Sequence, residues 1–280
     1  MEHSTRNLII ALIIIGGFLA IHFWVIGHVT SGLASASVSH DQSTPYRLPD
    51  FAAINDIKTR KHTFFDYLRP LIAQENQRLA ELRRSVDTLS ANALKALADD
   101  YGLASDSANL KAKLKRRIDQ VPSSLVLAQA AIESAWGTSR FAQQGNNLFG
   151  QWCFTRGCGM VPRYRAEDAN HEVRRFASSR SSIRSYMHNL NTHRAYAKVR
   201  SQRADQRARG ETLSGCYLAE GLESYSEKGR QYVSMVKSMI RINRLEDHKK
   251  YCAPRVIAQP ETTPGLAPEP AAEPAADDAA

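Results

Sequence analysis

The chain has 280 residues, with 37 Lys and Arg against 28 Asp and Glu for a formal net charge of +9, and a hydrophobic fraction of 43%. That length holds one domain of good size plus extensions, and that hydrophobic fraction excludes a chain disordered or fibrous throughout.

Leu8 to Val29 is an unbroken run of apolar residues, glycines and two histidines. At about 1.5 Å per residue it reaches roughly 33 Å, enough to cross the hydrocarbon core of a bilayer. Arg6 precedes it and no acid interrupts it. This predicts a transmembrane helix with a cytoplasmic N-terminus and an exported remainder, which in a bacterium with two membranes means the inner membrane and the periplasm. Ala34-Ser35-Ala36 resembles a signal-peptidase site, so removal near Ala36 stays open. Residues 1–36 are read as anchor or signal segment and residues 37–55 as a linker.

From residue 56 to 89, Phe64, Phe65, Leu68, Leu71, Ile72, Leu79, Leu82 and Val86 fall near the three-and-four spacing of an amphipathic helix. Pro70 is expected to break or kink it. Arg69, Arg78, Arg83 and Arg84 are expected on the solvated side, without a function. Two short helices follow, Leu94 to Tyr101 and Leu110 to Ile118, packed around the next segment.

That segment, Pro122 to Gly137, is the centre of the chain. Pro122 fits the first helical turn, and Gly137 fits the position just past the end. Leu125, Val126, Ala128, Ala131, Ile132 and Ala135 leave almost no polar face, so the helix should be buried on most sides. Its one ionisable side chain is Glu133. Apolar surroundings, the negative end of the helix dipole and Trp136 three residues on all push its pKa upward. A carboxyl still protonated near neutral pH can hand a proton to a leaving oxygen. The same pattern also suits a structural Glu bonded to backbone or Arg.

Residues 139–150 read as a helical turn followed by a tight loop. Ala128-Gln129-Ala-Ala-Ile-Glu133-Ser134-x-Trp136-Gly137 followed by Asn146-Asn147-Leu148-Phe149-Gly150 resembles the signature of the bacterial glucosaminidases of glycoside hydrolase family 73. The resemblance extends over roughly residues 55 to 250. It implies a mainly α, lysozyme-like helical domain with a small β-hairpin lobe, which cuts peptidoglycan glycan strands after N-acetylglucosamine without a cofactor or metal. Glu133 occupies the position of the general acid. A lytic transglycosylase and a non-catalytic wall-binding or assembly module are the competing readings.

After Gly150 the periodicity changes, and Gln151 to Phe176 suits a hairpin of two short strands turning near Glu167 to Asn170. In the resembling family this hairpin forms the other wall of the cleft and often carries a second carboxylate. Here Val161-Pro-Arg-Tyr164-Arg-Ala-Glu167-Asp168 stands in that place. Glu167 is the candidate, with Asp168 and Glu172 the other acids nearby. Trp152 and Tyr164 are candidates for stacking on sugar faces and Asn147 for hydrogen bonding in the cleft. Tyr186 matches a tyrosine that the family often keeps. Phe149 is assigned to the core.

Beyond Ser179 the chain is helical again, with a break near Asn191 to His193. The basic stretch Lys198 to Arg209 lacks the interleaved aromatics of a nucleic-acid site, so no nucleic-acid partner is expected. Leu213 to Leu222 and Gln231 to Asn243 complete the helices. The four cysteines favour disulfides in an exported chain. A local Cys153–Cys158 bridge would leave Cys216 to pair with Cys252; the sequence offers no zinc spacing. His188 and His193 are expected as surface or capping residues.

Residues 56–253 thus form the domain, and 254–280 a disordered acidic Pro/Ala tail. Beyond Val256 the tail has five acids and no Lys or Arg, a net of −5 against the overall +9, so the remainder carries +14. A basic exported domain is drawn to an anionic wall polymer or membrane surface.

Overall fold

The computed structural model describes residues 48–253, apart from residues 164, 166–168 and 248. The segment at 8–29, the site at Ala34 to Ala36 and the acidic tail fall outside the described residues. Among the described residues no helix is long and apolar enough to cross a membrane.

The helices are α1 (Ile57–Ser85), α2 (Ala91–Asp100), α3 (Leu110–Arg117), α4 (Ser123–Ser134), α5 (Arg140–Gly145), α6 (Ser179–Thr192), α7 (Ala197–Ala208), α8 (Gly215–Ala219), α9 (Arg230–Ile242) and α10 (Lys249–Cys252). A small sheet of β1 (Trp152–Cys153), β2 (Gly159–Met160) and β3 (Glu172–Arg174) interrupts them. The described domain is mainly helical with one small antiparallel sheet.

Helix α1 starts on Asp56, whose carboxylate accepts from the Thr59 amide at 2.7 Å, and buries Phe64, Phe65, Leu68, Ile72 and Leu79. It runs through Pro70 without a break. Pro70 and Asp66, the residue whose carbonyl loses its partner, are both exposed, and water can serve that carbonyl. Glu75, fully buried in α1, accepts from Arg78 at 2.6 Å and from Arg184 of α6 at 3.1 Å. Arg78 is therefore not a bystander on the solvated side. Arg83 likewise reaches inward, to the Ile118 carbonyl at 3.3 Å.

Helix α4 lies at the centre, packed by α1, α8 and α9. Ser124 to Ala131 are all buried, as an apolar helix without a polar face requires. Pro122 is the N-cap, with ψ at 130°, and not a residue of the first turn. The helix stops at Ser134, earlier than expected, and Ala135, Trp136 and Gly137 follow with φ of 50°, 62° and 77°. Ser134 holds this left-handed exit, donating to the Ala130 carbonyl at 2.6 Å and accepting from the Gly137 amide at 2.8 Å. Only glycine fits at 137, because a Cβ there would lie 2.5 Å from the Phe51 ring.

Two polar anchors hold the helices together. Glu246 accepts from Ser124 Oγ, Ser214 Oγ and the Gly215 amide, each at 2.6 Å, so one carboxylate fixes the starts of α4 and α8. The Cys216–Cys252 disulfide, with Cα atoms 5.1 Å apart, closes the same corner. Arg203 of α7 is 1% exposed and donates to the carbonyls of Arg116, Arg117, Asp119 and Gln120 and to Asn191 Oδ1. Arg200 is spent on the carbonyls of Leu190 and His193. Much of the basic stretch of α7 thus points into the protein. His193 accepts from the Ala195 amide as a cap.

The lobe has three strands where two were expected. Strand β3 lies in the middle, antiparallel to both others, with Val173 opposite Trp152 on one side and Met160 on the other. The Cys153–Cys158 disulfide ties the β1–β2 loop, which brings a two-residue strand to each edge of β3. Gly159 lets β2 approach: a Cβ there would sit 2.1 Å from the Val173 carbonyl oxygen.

Candidate active site

Glu133 is the penultimate residue of α4 and is only partly exposed. Tyr232 of α9 donates its hydroxyl to Glu133 Oε1 at 2.6 Å. Gln129, one turn earlier on α4, donates Nε2–H to the Tyr232 oxygen at 2.8 Å. The Gln129 oxygen in turn accepts from the Tyr186 hydroxyl. The donors therefore run one way, from Tyr186 through Gln129 and Tyr232 to Glu133. The Tyr232 oxygen accepts from an amide and its O–H goes to Glu133 Oε1, so Oε2 is the carboxyl oxygen left to exchange a proton.

Burial pushes the Glu133 carboxyl above the usual carboxylate range, while the Tyr232 hydrogen bond and the charge of Lys228 pull it part of the way back. The direction agrees with the expectation from sequence, but one expected cause does not. Trp136 leaves the helix at φ 62° and packs edge-on against Phe64 and Phe65, on the α1 side. Behind the relay stands an aromatic block. Tyr225 stacks on Tyr232 with centroids 5.3 Å apart, and Phe149 stacks on Tyr186 at 4.0 Å. Burial raises the pKa of Tyr186, Tyr225 and Tyr232, so these phenols stay protonated as donors.

Asn146 and Asn147 join this body to the lobe. Asn146, left-handed at φ 50°, donates to the Phe176 carbonyl at 3.0 Å. Asn147 donates to the carbonyls of Gln151 and Arg174 and accepts from the amides of Phe149 and Gln151. Asn147 is 2% exposed with its amide fully engaged, so it shapes the loop and has nothing left to offer a sugar. Tyr186, at 1% exposure, supports the relay from inside the core. Phe149 is core, as expected, at 3%.

Glu172 is buried and accepts from the amides of Gly157 at 2.9 Å and Gly159 at 2.7 Å. Those two bonds hold its carboxyl below the usual range, so it is an ionised clamp on the lobe. Glu167 and Tyr164 lie outside the described residues. Trp152 is 56% exposed on β1, stacked on His171 with centroids 4.0 Å apart. Phe154, two residues on, is 67% exposed.

Both disulfides join the cysteine pairs expected, Cys153–Cys158 and Cys216–Cys252. Glu172 lies near the first and Glu246 near the second, and among the described residues these are the clusters with the spacing of ion ligands. Each sulfur is joined to its partner and each carboxylate to backbone amides, so neither set is free to bind a metal.

The family model described as mannosyl-glycoprotein endo-beta-N-acetylglucosaminidase matches residues 109–245. That range takes in Gln129, Glu133, Tyr186 and Tyr232, and leaves out α1 and Cys252. The protein bax of Escherichia coli strain K12 is 28% identical over 218 residues, covering 74% of this chain and 78% of that protein. Among solved structures, the catalytic domain of the autolysin Auto from Listeria monocytogenes is 18% identical, covering 70% of this chain and 90% of that one, with a TM-score of 0.37, too low to equate the two folds.

Proposed function

We propose, from the match of residues 109–245 to the glucosaminidase family model and the likeness to the protein bax, a peptidoglycan hydrolase that cuts the glycan after N-acetylglucosamine with Glu133 as general acid. The observation that carries this reading is the desolvated Glu133 carboxyl at the end of a one-way donor relay. A protonated Glu133 Oε2 gives its proton to the leaving glycosidic oxygen as the bond breaks. The carboxylate left behind keeps the Tyr232 hydrogen bond, which stabilises the charge that forms.

The second role falls to Glu167 or to the substrate. Glu172 is committed to two amides, so Glu167 is the proposed second carboxylate on the segment between β2 and β3. In the substrate-assisted route the 2-acetamido oxygen attacks the anomeric carbon while Glu133 protonates the leaving group. Water then adds at that carbon, displacing the acetamido oxygen, and returns a proton to Glu133. Trp152, and Tyr164 with it, are proposed to stack on sugar faces. The segment at 8–29 is proposed to hold the domain at the periplasmic side of the inner membrane, a reading that two disulfides support.

Mass spectrometry of fragments released from purified sacculi tests the proposal. Reducing-end N-acetylglucosamine, absent from a Glu133→Gln digest, is the expected product. Anhydro-ended fragments would make the protein a transglycosylase, and wall binding without products would make it a binding module.

A further inference from the structure

A concavity of about 530 Å³ opens between the first turns of α1 and the end of α9. Lys58, Lys61, Arg69 and Arg244 line it, and Asp66 is the carboxylate among its lining residues. Asp66 is itself exposed and stands 3.9 Å from Arg69, so it offsets at most one of the four charges. Asp56, beside Lys58, is occupied in capping the Thr59 amide. The lining cations outnumber Asp66 and the neighbouring Asp56, which keeps its charge beside Lys58, so an excess of positive charge remains to concentrate anions.

The groove adjoins the catalytic helix. The Lys61 ammonium sits 4.8 Å from the centre of the Trp136 ring, and Trp136 is the second residue past the end of α4. Phe65 from the groove packs on the same ring at 5.2 Å. Ile242, 70% exposed, adds an apolar edge. The combination of four cations, an aromatic floor and one apolar edge suits a short chain that carries carboxylates and aliphatic carbon. Peptide stems on a peptidoglycan strand have that chemistry, whereas the sugars beside the acid are neutral at their cleaved bond.

We propose that this groove is a subsite for the carboxylates of peptide stems, which anchors the strand while another part of it lies at Glu133. The inference rests on the hydrolase reading above. The test compares the full chain with Lys58→Gln/Lys61→Gln/Arg244→Asn on two substrates, intact sacculi and glycan strands stripped of their stems. Lys58 and Arg244 are exposed and Lys61 partly so, and the changes preserve helix propensity at 58 and 61 and tolerance of left-handed backbone at 244. The expected result is a rate on intact sacculi at least about fivefold lower in the variant at low salt, a gap that closes as ionic strength rises, and equal rates on stripped strands. Equal rates of wild type and variant on both substrates would overturn the groove while leaving the hydrolase standing. Loss of binding to vesicles of anionic phospholipid with unchanged cutting of sacculi would assign the charge to a membrane surface and overturn it as well. Failure of the wild type to cut either substrate would instead remove the hydrolase reading.

Discussion

Tyr232 and Glu133, 99 residues apart in the chain, meet through one 2.6 Å hydrogen bond in which the phenol is the donor. Gln129 fills the Tyr232 oxygen from behind, so the phenol proton is directed at the carboxyl. The bond favours the charged form of Glu133, while burial favours the neutral form. Replacing Tyr232 with Phe removes the first effect and keeps the second. The basic limb of the pH–rate profile, set by loss of the acid's proton, should therefore move to higher pH. The maximal rate should fall about 10- to 100-fold, the worth of a hydrogen bond to a developing charge. A profile of sacculus digestion from pH 4 to 9 checks both.

The relay also predicts an asymmetric response at Gln129. Gln129→Leu leaves the Tyr186 hydroxyl without its acceptor and the Tyr232 oxygen without its donor, both inside the core. Two unsatisfied buried groups should cost about 2–4 kcal/mol in urea unfolding. Gln129→Glu keeps the Tyr186 acceptor but takes away the amide donor, so the Tyr232 proton is drawn toward position 129. Its kcat should drop while KM stays close to the wild-type value.

Glu133 itself should weaken the fold. Its folded-state pKa is raised above the unfolded value, so the native state holds a proton that the unfolded state has lost as pH rises between the two. Stability falls through that window and stays lower at neutral pH. Glu133→Gln removes the penalty and keeps the Tyr232 acceptor. The variant should melt about 2–4 °C higher than wild type at pH 7, for a gain on the order of 1 kcal/mol, and no higher near pH 3. Scanning calorimetry at both pH values decides it.

The sequence made Glu133 visible because it is the single charge in an apolar helix, and both disulfides because four cysteines fell into one near pair and one remaining pair. Helices α1, α2, α3 and α9 followed from spacing and end signals. What stayed hidden was long-range. The stretch ending in Tyr232 resembles one with tyrosines in the family, but nothing local names Glu133 as its partner, and the family-like Gln129 could not be read as a relay without its two phenols. Asn147 and Tyr186 carried a functional signal that the structure spends on support, because a motif records that a residue matters and not what it touches. Arg203 stood only as one charge of a basic stretch, because composition gives no sign of the five acceptors around it. The third strand was missed because strands of two residues have no period to detect.

That buried guanidinium gives a prediction about stability alone. Arg203→Lys keeps the charge but loses the planar fork that serves carbonyls of 116, 117, 119 and 120 together. The cost should be about 3–5 kcal/mol in urea unfolding, as for a buried charge stripped of partners. At temperatures where the variant remains folded, its products from sacculi should match those of wild type.

The lobe should open independently of the body, and Glu172 is the place to see it. Its carboxylate holds the Gly157 and Gly159 amides, and its pKa is lowered by those bonds. A group of this kind contributes its stabilisation above the unfolded-state pKa and loses it as pH falls through the depressed folded value. In wild type the two amides should therefore exchange slowly at neutral pH and quicken in acid beyond the change in intrinsic rate. Glu172→Gln keeps the size of the side chain but offers one acceptor oxygen in place of two, so one amide is released at every pH. Hydrogen exchange should show faster loss of protection at Gly157 or Gly159 with α4 unchanged. The rate on sacculi should fall mainly through KM, since Trp152 rides on the strand paired to Glu172 while the Glu133 relay is untouched. Loss of protection in α4 as well would mean that lobe and body fold as one unit.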